Sequence, residues 1–362
     1  MLQIDHIYTF LFENIFKDFA FTFLPGGVPV EEREITWKNF SSYCKADPYY
    51  YTDIPWMFVY DQEPLLDQYY DKYINFLLDA KPSREITIIV SSEKSKKADG
   101  HLYYFYHGFA ALDWFRGYHA LNHSCPVVRK YDHDYISFNR IVTGDRAYRQ
   151  DFVKRLKEND ILGNGAVSYG VLDSPSGGDR LVIDQEQLPG SASASIPRKP
   201  RSWMNRFIAT DKSVDAFWHV VTETVFYYDK LHLTEKIFKP IASKQPFMLL
   251  AAPGNLEYLR SYGFKTFAGI IDESYDSIKD NDDRIEAVVA QLKWYCDLSD
   301  DEKTEIQKLC EPIIEHNFHH FYGKFREIIT DELLDNTKKL FDDIGYDDSR
   351  VDYATVRKLL TS

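Results

Sequence analysis

Three neighbouring residues, Thr234, Glu235 and Lys236, have the types and the spacing that suit a phosphate-binding helix start. The hydroxyl of Thr234 can accept from a backbone N–H that the first helical turn leaves unpaired, so Thr234 is a good N-cap. The free N–H groups and the helix dipole favour an anion there, and Lys236 would add a point charge. Glu235 could accept hydrogen bonds from both hydroxyls of a ribose. This turn therefore predicts a site for a phosphorylated nucleoside.

Strand and helix patterns surround this turn. Apolar residues at helical spacing follow it until Gln245-Pro246, which ends the predicted helix. Phe247–Ala251 is a short apolar run of the kind buried in a parallel sheet. Residues 253–255 turn into a second helix, which Gly263 closes. The β–α–β–α order predicts a doubly wound α/β domain, whose ligands bind at the carboxyl ends of its strands. The competing interpretation is an ordinary capped helix with a solvated Glu/Lys pair.

The run Leu231–Phe267 resembles a known family of enzymes. Its Thr-Glu-Lys helix start, apolar strand and Pro-Gly turn look like the nucleotide-sugar-binding segment of α1,3-fucosyltransferase-like enzymes. Its Phe-Lys-Pro-Ile and Gly-Phe-Lys-Thr-Phe elements look like related glycosyltransferase-like proteins of bacteriophage genomes. The resemblance covers roughly residues 135–320. It implies a GT-B-like fold of two facing doubly wound (Rossmann-like) domains, and transfer of a sugar with inversion from a nucleotide-diphosphate sugar to an acceptor hydroxyl.

Basic residues collect in the same half of the chain. Arg140 follows the predicted strand Tyr135–Asn139, and Arg146 lies near the start of the next helix. A guanidinium at either place could neutralise charge on a leaving diphosphate. Residues 129–157 contain eight Lys or Arg and four Asp or Glu, whereas the whole chain has a net charge of −13. The basic residues farther along this helix, Arg149 included, are predicted to form a solvated face.

The resemblance also points to Glu223, at the end of the predicted strand Phe217–Thr224, as a contact of the base or the ribose. Residues 171–206, rich in Gly, Ser and Pro, predict a long loop or flap. The end of this loop contains Arg198, Arg201 and Trp203. Basic and aromatic side chains together suit an anionic acceptor that can stack, and they equally suit a plain exposed loop.

Residues 1–134 predict a first α/β domain on the acceptor side. The predicted strand Trp56–Tyr60 is followed by Asp61 and Glu63, and His107 opens a predicted helix. Inverting transfer needs a general base beside the acceptor hydroxyl. Glu63 is the first candidate, Asp61 the second and His107 the third. The alternative is that both carboxylates serve as helix caps or turn residues, and that His107 is an ordinary surface or core residue.

Composition and charge exclude several classes of protein. The net charge argues against general electrostatic binding of nucleic acid. The longest apolar runs are too short to predict a membrane span. Four cysteines without metal spacing predict reduced thiols in the cytoplasm, or in the host cytoplasm if a phage encodes the chain. Asp132 and Asp134 could form an Asp-X-Asp metal site. We read them as a linker, so no metal is predicted.

These observations together predict a metal-independent, inverting glycosyltransferase whose co-substrate is a nucleotide-diphosphate sugar and which needs no other cofactor. Residues 1–134 would bind the acceptor, residues 135–325 the nucleotide sugar, and the helices of residues 326–362 would pack back on the first domain. Arg140, Arg146, Lys236 and the helix start would stabilise the leaving diphosphate. Two alternatives stay open, namely a phage-type enzyme that glycosylates a hydroxylated base in DNA, and a nucleotide-sugar or glycan-binding protein without turnover.

Overall fold

The computed structural model of the chain describes residues 7–24, 56–60, 87–91, 94, 101–115, 131–139, 142–169 and 216–362. The chain divides into two units. Unit 1 consists of residues 1–110 and 326–362, and unit 2 of residues 111–325. The sequence placed the corresponding boundaries after residues 134 and 325.

The described strands are all parallel and form one four-stranded sheet in each unit. In chain order they are β1 Ala20–Leu24, β2 Trp56–Tyr60, β3 Thr87–Ser91, β4 His101–Tyr103, β5 His133–Asn139, β6 Gly165–Tyr169, β7 Ala216–Thr222 and β8 Phe247–Leu250. The predicted α/β class with parallel sheets is therefore confirmed.

The described α-helices lie before, between and after these strands. In chain order they are α1 Ile7–Asn14, α2 Tyr106–Trp114, α3 Tyr148–Glu158, α4 Glu235–Ala242, α5 Asn255–Ser261, α6 Asn281–Cys296, α7 Asp300–Tyr322, α8 Phe325–Ile344 and α9 Tyr353–Thr361. None of the helices in the described ranges is long and apolar enough to cross a membrane.

Unit 1 has the strand order β1-β2-β3-β4. The last helices of the chain belong to this unit. Phe341 of α8 packs edge-on against Phe16, with ring centroids 5.4 Å apart, and stacks on Phe19. The side-chain amide of Asn336 donates to the backbone carbonyl of Tyr103 at the end of β4. Both termini of the chain thus contribute to the core of unit 1.

Unit 2 has the strand order β6-β5-β7-β8, in which β5 and β7 are central. The chain leaves β5 towards one edge of the sheet, returns to β7 on the other side of β5, and continues to β8. A parallel sheet with this order has a topological switch point between β5 and β7, outside their carboxyl ends. All seven residues of β7 are buried, as expected for a central parallel strand whose two faces are covered.

Several element boundaries differ from the prediction. The predicted strand Phe217–Thr224 ends at Thr222, so Glu223 lies just beyond it. Helix α4 tolerates Pro240 and ends at Ala242, before the predicted stop at Gln245-Pro246. Lys244 ends this turn in the left-handed region, with a φ of 54°. A single residue with positive φ can reverse the chain earlier than the proline does.

Candidate functional site

The carboxyl ends of β5 and β7 are joined by side-chain hydrogen bonds. The hydroxyl of Thr222 lies 3.0 Å from Oδ1 of Asn139 and 3.2 Å from the carbonyl oxygen of Phe138. Thr222 and Asn139 are both buried. These bonds satisfy polar groups of the two central strands at the switch point, where open α/β sheets bind their ligands.

Helix α4 begins at this edge of the sheet, and Thr234 caps it as predicted. Thr234 has extended backbone geometry, and its Oγ1 accepts from the backbone N–H of Lys236 at 3.4 Å. Ile237, Phe238 and Ile241 bury one face of the helix. The cap and the buried face together fix the position of the first turn. The dipole and the unpaired N–H groups at the start of a helix favour an anion in general.

The carboxylate of Glu223 lies inside this turn, and the residue is 0 % exposed. Its Oε1 accepts from the backbone N–H of Thr234 at 3.0 Å. Its Oε2 accepts from the hydroxyl of Thr234 at 2.6 Å and from the backbone N–H of Thr224 at 3.2 Å. A buried carboxylate is costly unless hydrogen bonds compensate for the lost water. Three donors do so here.

The ammonium of Lys236 lies beside the same residues. Its Nζ donates to Oγ1 of Thr234 at 2.9 Å and to Oγ1 of Thr224 at 3.2 Å. It lies 3.9 Å from Oε2 of Glu223 and 3.6 Å from Oε1 of Glu235. The Lys236 side chain remains 35 % exposed, so an incoming anion can reach it. Glu235 is also part-exposed, as a ribose contact would require.

Side chains of α3, the helix that follows β5, bond to the backbone at the end of β7. Arg149 of α3 is 3 % exposed, and its guanidinium donates to the carbonyls of Thr222 at 2.9 Å and Glu223 at 3.2 Å. The hydroxyl of Tyr148 also donates to the carbonyl of Glu223. The prediction of a solvated face is therefore wrong for Arg149. A guanidinium has five donors, which lets it serve two main-chain carbonyls within the core.

Arg146 lies in the short turn Gly144–Arg146 that opens α3, and it is half-buried. In the same turn Asp145 accepts a hydrogen bond of 2.9 Å from the hydroxyl of Tyr228. Tyr228 belongs to the segment between β7 and α4. This hydrogen bond joins the turn after β5, which contains Arg146, to the segment after β7.

Other predicted site residues lie elsewhere. His107 is buried at the start of α2, in unit 1, and its ring packs edge-on against that of Tyr106. Six predicted residues fall outside the described part of the chain. These are Asp61, Glu63, Arg140, Arg198, Arg201 and Trp203.

Asp134, one of the two carboxylates of the alternative metal site, has side-chain partners within the chain. Asp134 is the second residue of β5, at the end of the strand away from Asn139. Its carboxylate pairs with Lys303 at 2.8 Å and accepts from the side-chain amide of Asn164 at 3.0 Å. Within the described ranges, no group of three His, Cys, Asp or Glu residues could hold a metal ion.

The sequence indicated Thr234, Glu235 and Lys236, but it did not indicate Thr222, Asn139 or Arg149 as parts of this edge. A short β-strand that ends in a polar residue is a common pattern, so it gave no separate signal. A comparison of the chain with protein-family models, with curated proteins and with solved structures finds no match.

Proposed function

We propose that this chain is a glycosyltransferase of the GT-B type that transfers a sugar, with inversion and without a metal ion, from a nucleotide-diphosphate sugar to an acceptor hydroxyl. One observation carries the proposal. A capped helix start with a part-exposed lysine, Lys236, lies at the carboxyl edge of a parallel sheet whose strand order reverses there. This is the place and the chemistry that a nucleotide diphosphate needs.

The residues would divide the work as follows. The amides of the first turn of α4 and the ammonium of Lys236 would hold the diphosphate, and Arg146 would approach it from the turn after β5. Glu235 would accept from the ribose hydroxyls. As the bond to the sugar breaks, negative charge grows on the leaving diphosphate, and donors already in place stabilise it without reorganising. A cationic side chain can thereby replace the metal ion that other transferases use.

The acceptor side of the reaction belongs to the proposal as well. An acceptor hydroxyl must lose its proton as it attacks the sugar, which calls for a general base. Glu63, Asp61 and His107 remain the candidates for this role, and His107 is the one that lies in the described part of the chain.

Thermal unfolding with a panel of nucleoside diphosphates, in EDTA, tests the donor site. A ligand at about 100 times its dissociation constant stabilises the fold by roughly 2.7 kcal/mol. We expect one diphosphate to stabilise the wild type selectively. Lys236→Ala should weaken its binding by about tenfold or more, since a hydrogen bond to a charged group contributes roughly 1.5–3 kcal/mol.

Lys293→Ala is the matched control, because Lys293 is an exposed lysine of α6 whose partner is Asp297, the residue that directly follows the helix. It should bind as the wild type does. If none of the diphosphates stabilises the wild type, with or without magnesium, the donor site does not exist. If one binds but the corresponding nucleotide sugar is never cleaved, with any acceptor, the chain is a binding protein without turnover.

A further inference from the structure

We propose that Glu223 is a positioning residue that builds the diphosphate site without touching the ligand. This inference rests on the proposed function and assigns Glu223 a different role from the base or ribose contact that the sequence predicted. Three features of Glu223 support this role, namely its burial, the donors that surround it and its negative charge.

The first feature is that the carboxylate of Glu223 is not accessible to a ligand from the solvent. Glu223 is fully buried, and both of its oxygens already accept hydrogen bonds from within the chain. A ribose hydroxyl or a base edge would have to displace Thr234 or Thr224 to reach it. Each displaced backbone N–H would then lose its partner in the interior, which is unfavourable. Burial and these three hydrogen bonds therefore disfavour direct contact of a nucleotide with this carboxylate.

The second feature is that Glu223 joins the two ends of one loop. Glu223 and Thr224 are the first two residues after β7 and Thr234 is the last before α4, and both threonines donate backbone N–H groups to this carboxylate. The same two threonines supply the hydroxyls that receive the ammonium of Lys236. The backbone of Glu223 is itself held by Arg149. The carboxylate therefore sets the distance between the two hydroxyls that orient Lys236.

The third feature is the sign of the charge. A carboxylate 3.9 Å from the ammonium of Lys236 repels a phosphate that binds there. If electrostatics alone mattered, removing this charge would strengthen the binding of a diphosphate. If the carboxylate positions Thr234 and Lys236, removing it weakens the binding. The two accounts predict changes of opposite direction.

Glu223→Gln separates these accounts, because it keeps the shape and removes the charge. Its amide group must also turn an NH₂ towards the donors of Thr234 or Thr224. We expect the affinity for the nucleoside diphosphate that binds the wild type to fall by about tenfold or more. We also expect faster hydrogen exchange at the backbone amides of Thr224 and Thr234, with unchanged exchange in β8.

Two variants at Thr234 keep the proposal testable if the Glu223 variant does not fold. Thr234→Val removes the hydroxyl that donates to Glu223 and receives Lys236, and it should weaken the same binding by about tenfold. Thr234→Ser keeps the hydroxyl and should restore the wild-type affinity. Titration calorimetry with the nucleoside diphosphate measures all four proteins, and circular dichroism confirms their folding.

The outcomes distinguish the two proposals. If the wild type binds a diphosphate and Glu223→Gln binds it equally or more tightly, the positioning role is wrong and the donor site stands. If Thr234→Ser loses affinity as Thr234→Val does, the hydroxyl is not the link and the positioning role is again wrong. If the wild type binds none, the proposed function and the positioning role fail together.

Discussion

At the scale of single residues, the interior of unit 2 is held by buried cations that bond to main-chain carbonyls. Arg284 of α6 is 1 % exposed, and its guanidinium donates to the carbonyls of Phe226 at 2.9 Å and Ile278 at 2.7 Å. It also donates to Oδ1 of Asn281 and lies 4.2 Å from the centre of the Phe226 ring. Burial lowers the pKa of this guanidinium. Arg284 therefore ties the start of α6 to the segment after β7.

Arg284→Met should reduce the free energy of unfolding by about 3 kcal/mol, because it leaves several buried acceptors without a donor. Urea unfolding of the wild type and the variant measures this. Arg155→Met is the control. Arg155 lies in α3, and at the surface it bonds to Asp282 and Glu286 of α6, the helix that contains Arg284. A surface ion pair contributes about 1 kcal/mol or less. Equal losses in the two variants would contradict the role of Arg284.

The same scale shows what the sequence could and could not predict of the site. Thr234, Glu235 and Lys236 are consecutive, and the cap that Thr234 forms follows from the local rules for a helix start. The bond of Thr222 to Asn139 joins residues 83 positions apart, on the neighbouring strands β7 and β5. Its meaning depends on which strands are neighbours. Sequence patterns describe single strands, so such pairs become visible only when the sheet order is known.

At the scale of elements, histidines of α7 hydrogen-bond to the backbone at the end of α5. Gly263 follows α5 with a φ of +91°, a conformation that favours glycine. His320 of α7 donates to the carbonyl of Tyr262 at 2.6 Å, and His316 donates to the carbonyl of Gly263 at 3.0 Å. The His320 ring also packs edge-on against Phe264. The sequence predicted Gly263 as the helix end, and two histidines of α7, His316 and His320, bond to the backbone there.

Gly263→Ala should destabilise the chain more than Gly269→Ala does. Both glycines have positive φ, which costs an L-residue roughly 1–2 kcal/mol. A Cβ at Gly263 would lie 2.8 Å from the His320 ring, whereas a Cβ at Gly269 meets nothing within 4 Å. The ring is held by its hydrogen bond, so overpacking should add about 1–3 kcal/mol. Thermal unfolding of both variants isolates this difference, and identical midpoints would refute it.

The elements themselves were largely predictable where their patterns are strong. Strands β2, β5 and β8 and helix α4 follow from apolar runs and helical spacing, with boundaries shifted by a few residues. Strand β4 was missed, because three residues are too short to show alternation. Asp134 was read as a linker but lies within β5, where its pairing with Lys303 places a charge inside a strand. Tertiary partners decide such positions, and local patterns do not reveal them.

At the scale of the whole molecule, stability depends on pH through groups whose pKa changes on folding. Burial, together with the nearby charge of Lys239, lowers the pKa of His219 from 6.5 to about 3. Burial lowers the pKa of His320 as well. Between the unfolded and folded pKa values, the unfolded chain binds protons that the folded chain does not. The free energy of unfolding therefore falls as the pH falls below 6.5.

Two buried carboxyl groups act in the opposite direction. Burial raises the pKa of Glu273 above 4.5 and that of Asp276 above 3.8. Each holds a proton in the folded chain at a pH where the unfolded chain has released it. The stability that these two groups contribute is present at a pH below their ordinary pKa values. It is lost as the pH rises through their raised pKa values in the folded chain. The total dependence on pH thus combines opposing terms, and a single variant must separate them.

His219→Gln removes one titrating group from the core and keeps an amide that can bond to Gln245, the hydrogen-bond partner of His219. Between pH 7.5 and 5.5, the wild type should lose about 1.4 kcal/mol more of its free energy of unfolding than the variant does. The groups common to both proteins cancel in this comparison. Urea unfolding measures it, in dilute protein because the chain has a pI near 5.3. Parallel curves over this range would mean that His219 is as accessible to protons in the folded chain as in the unfolded one.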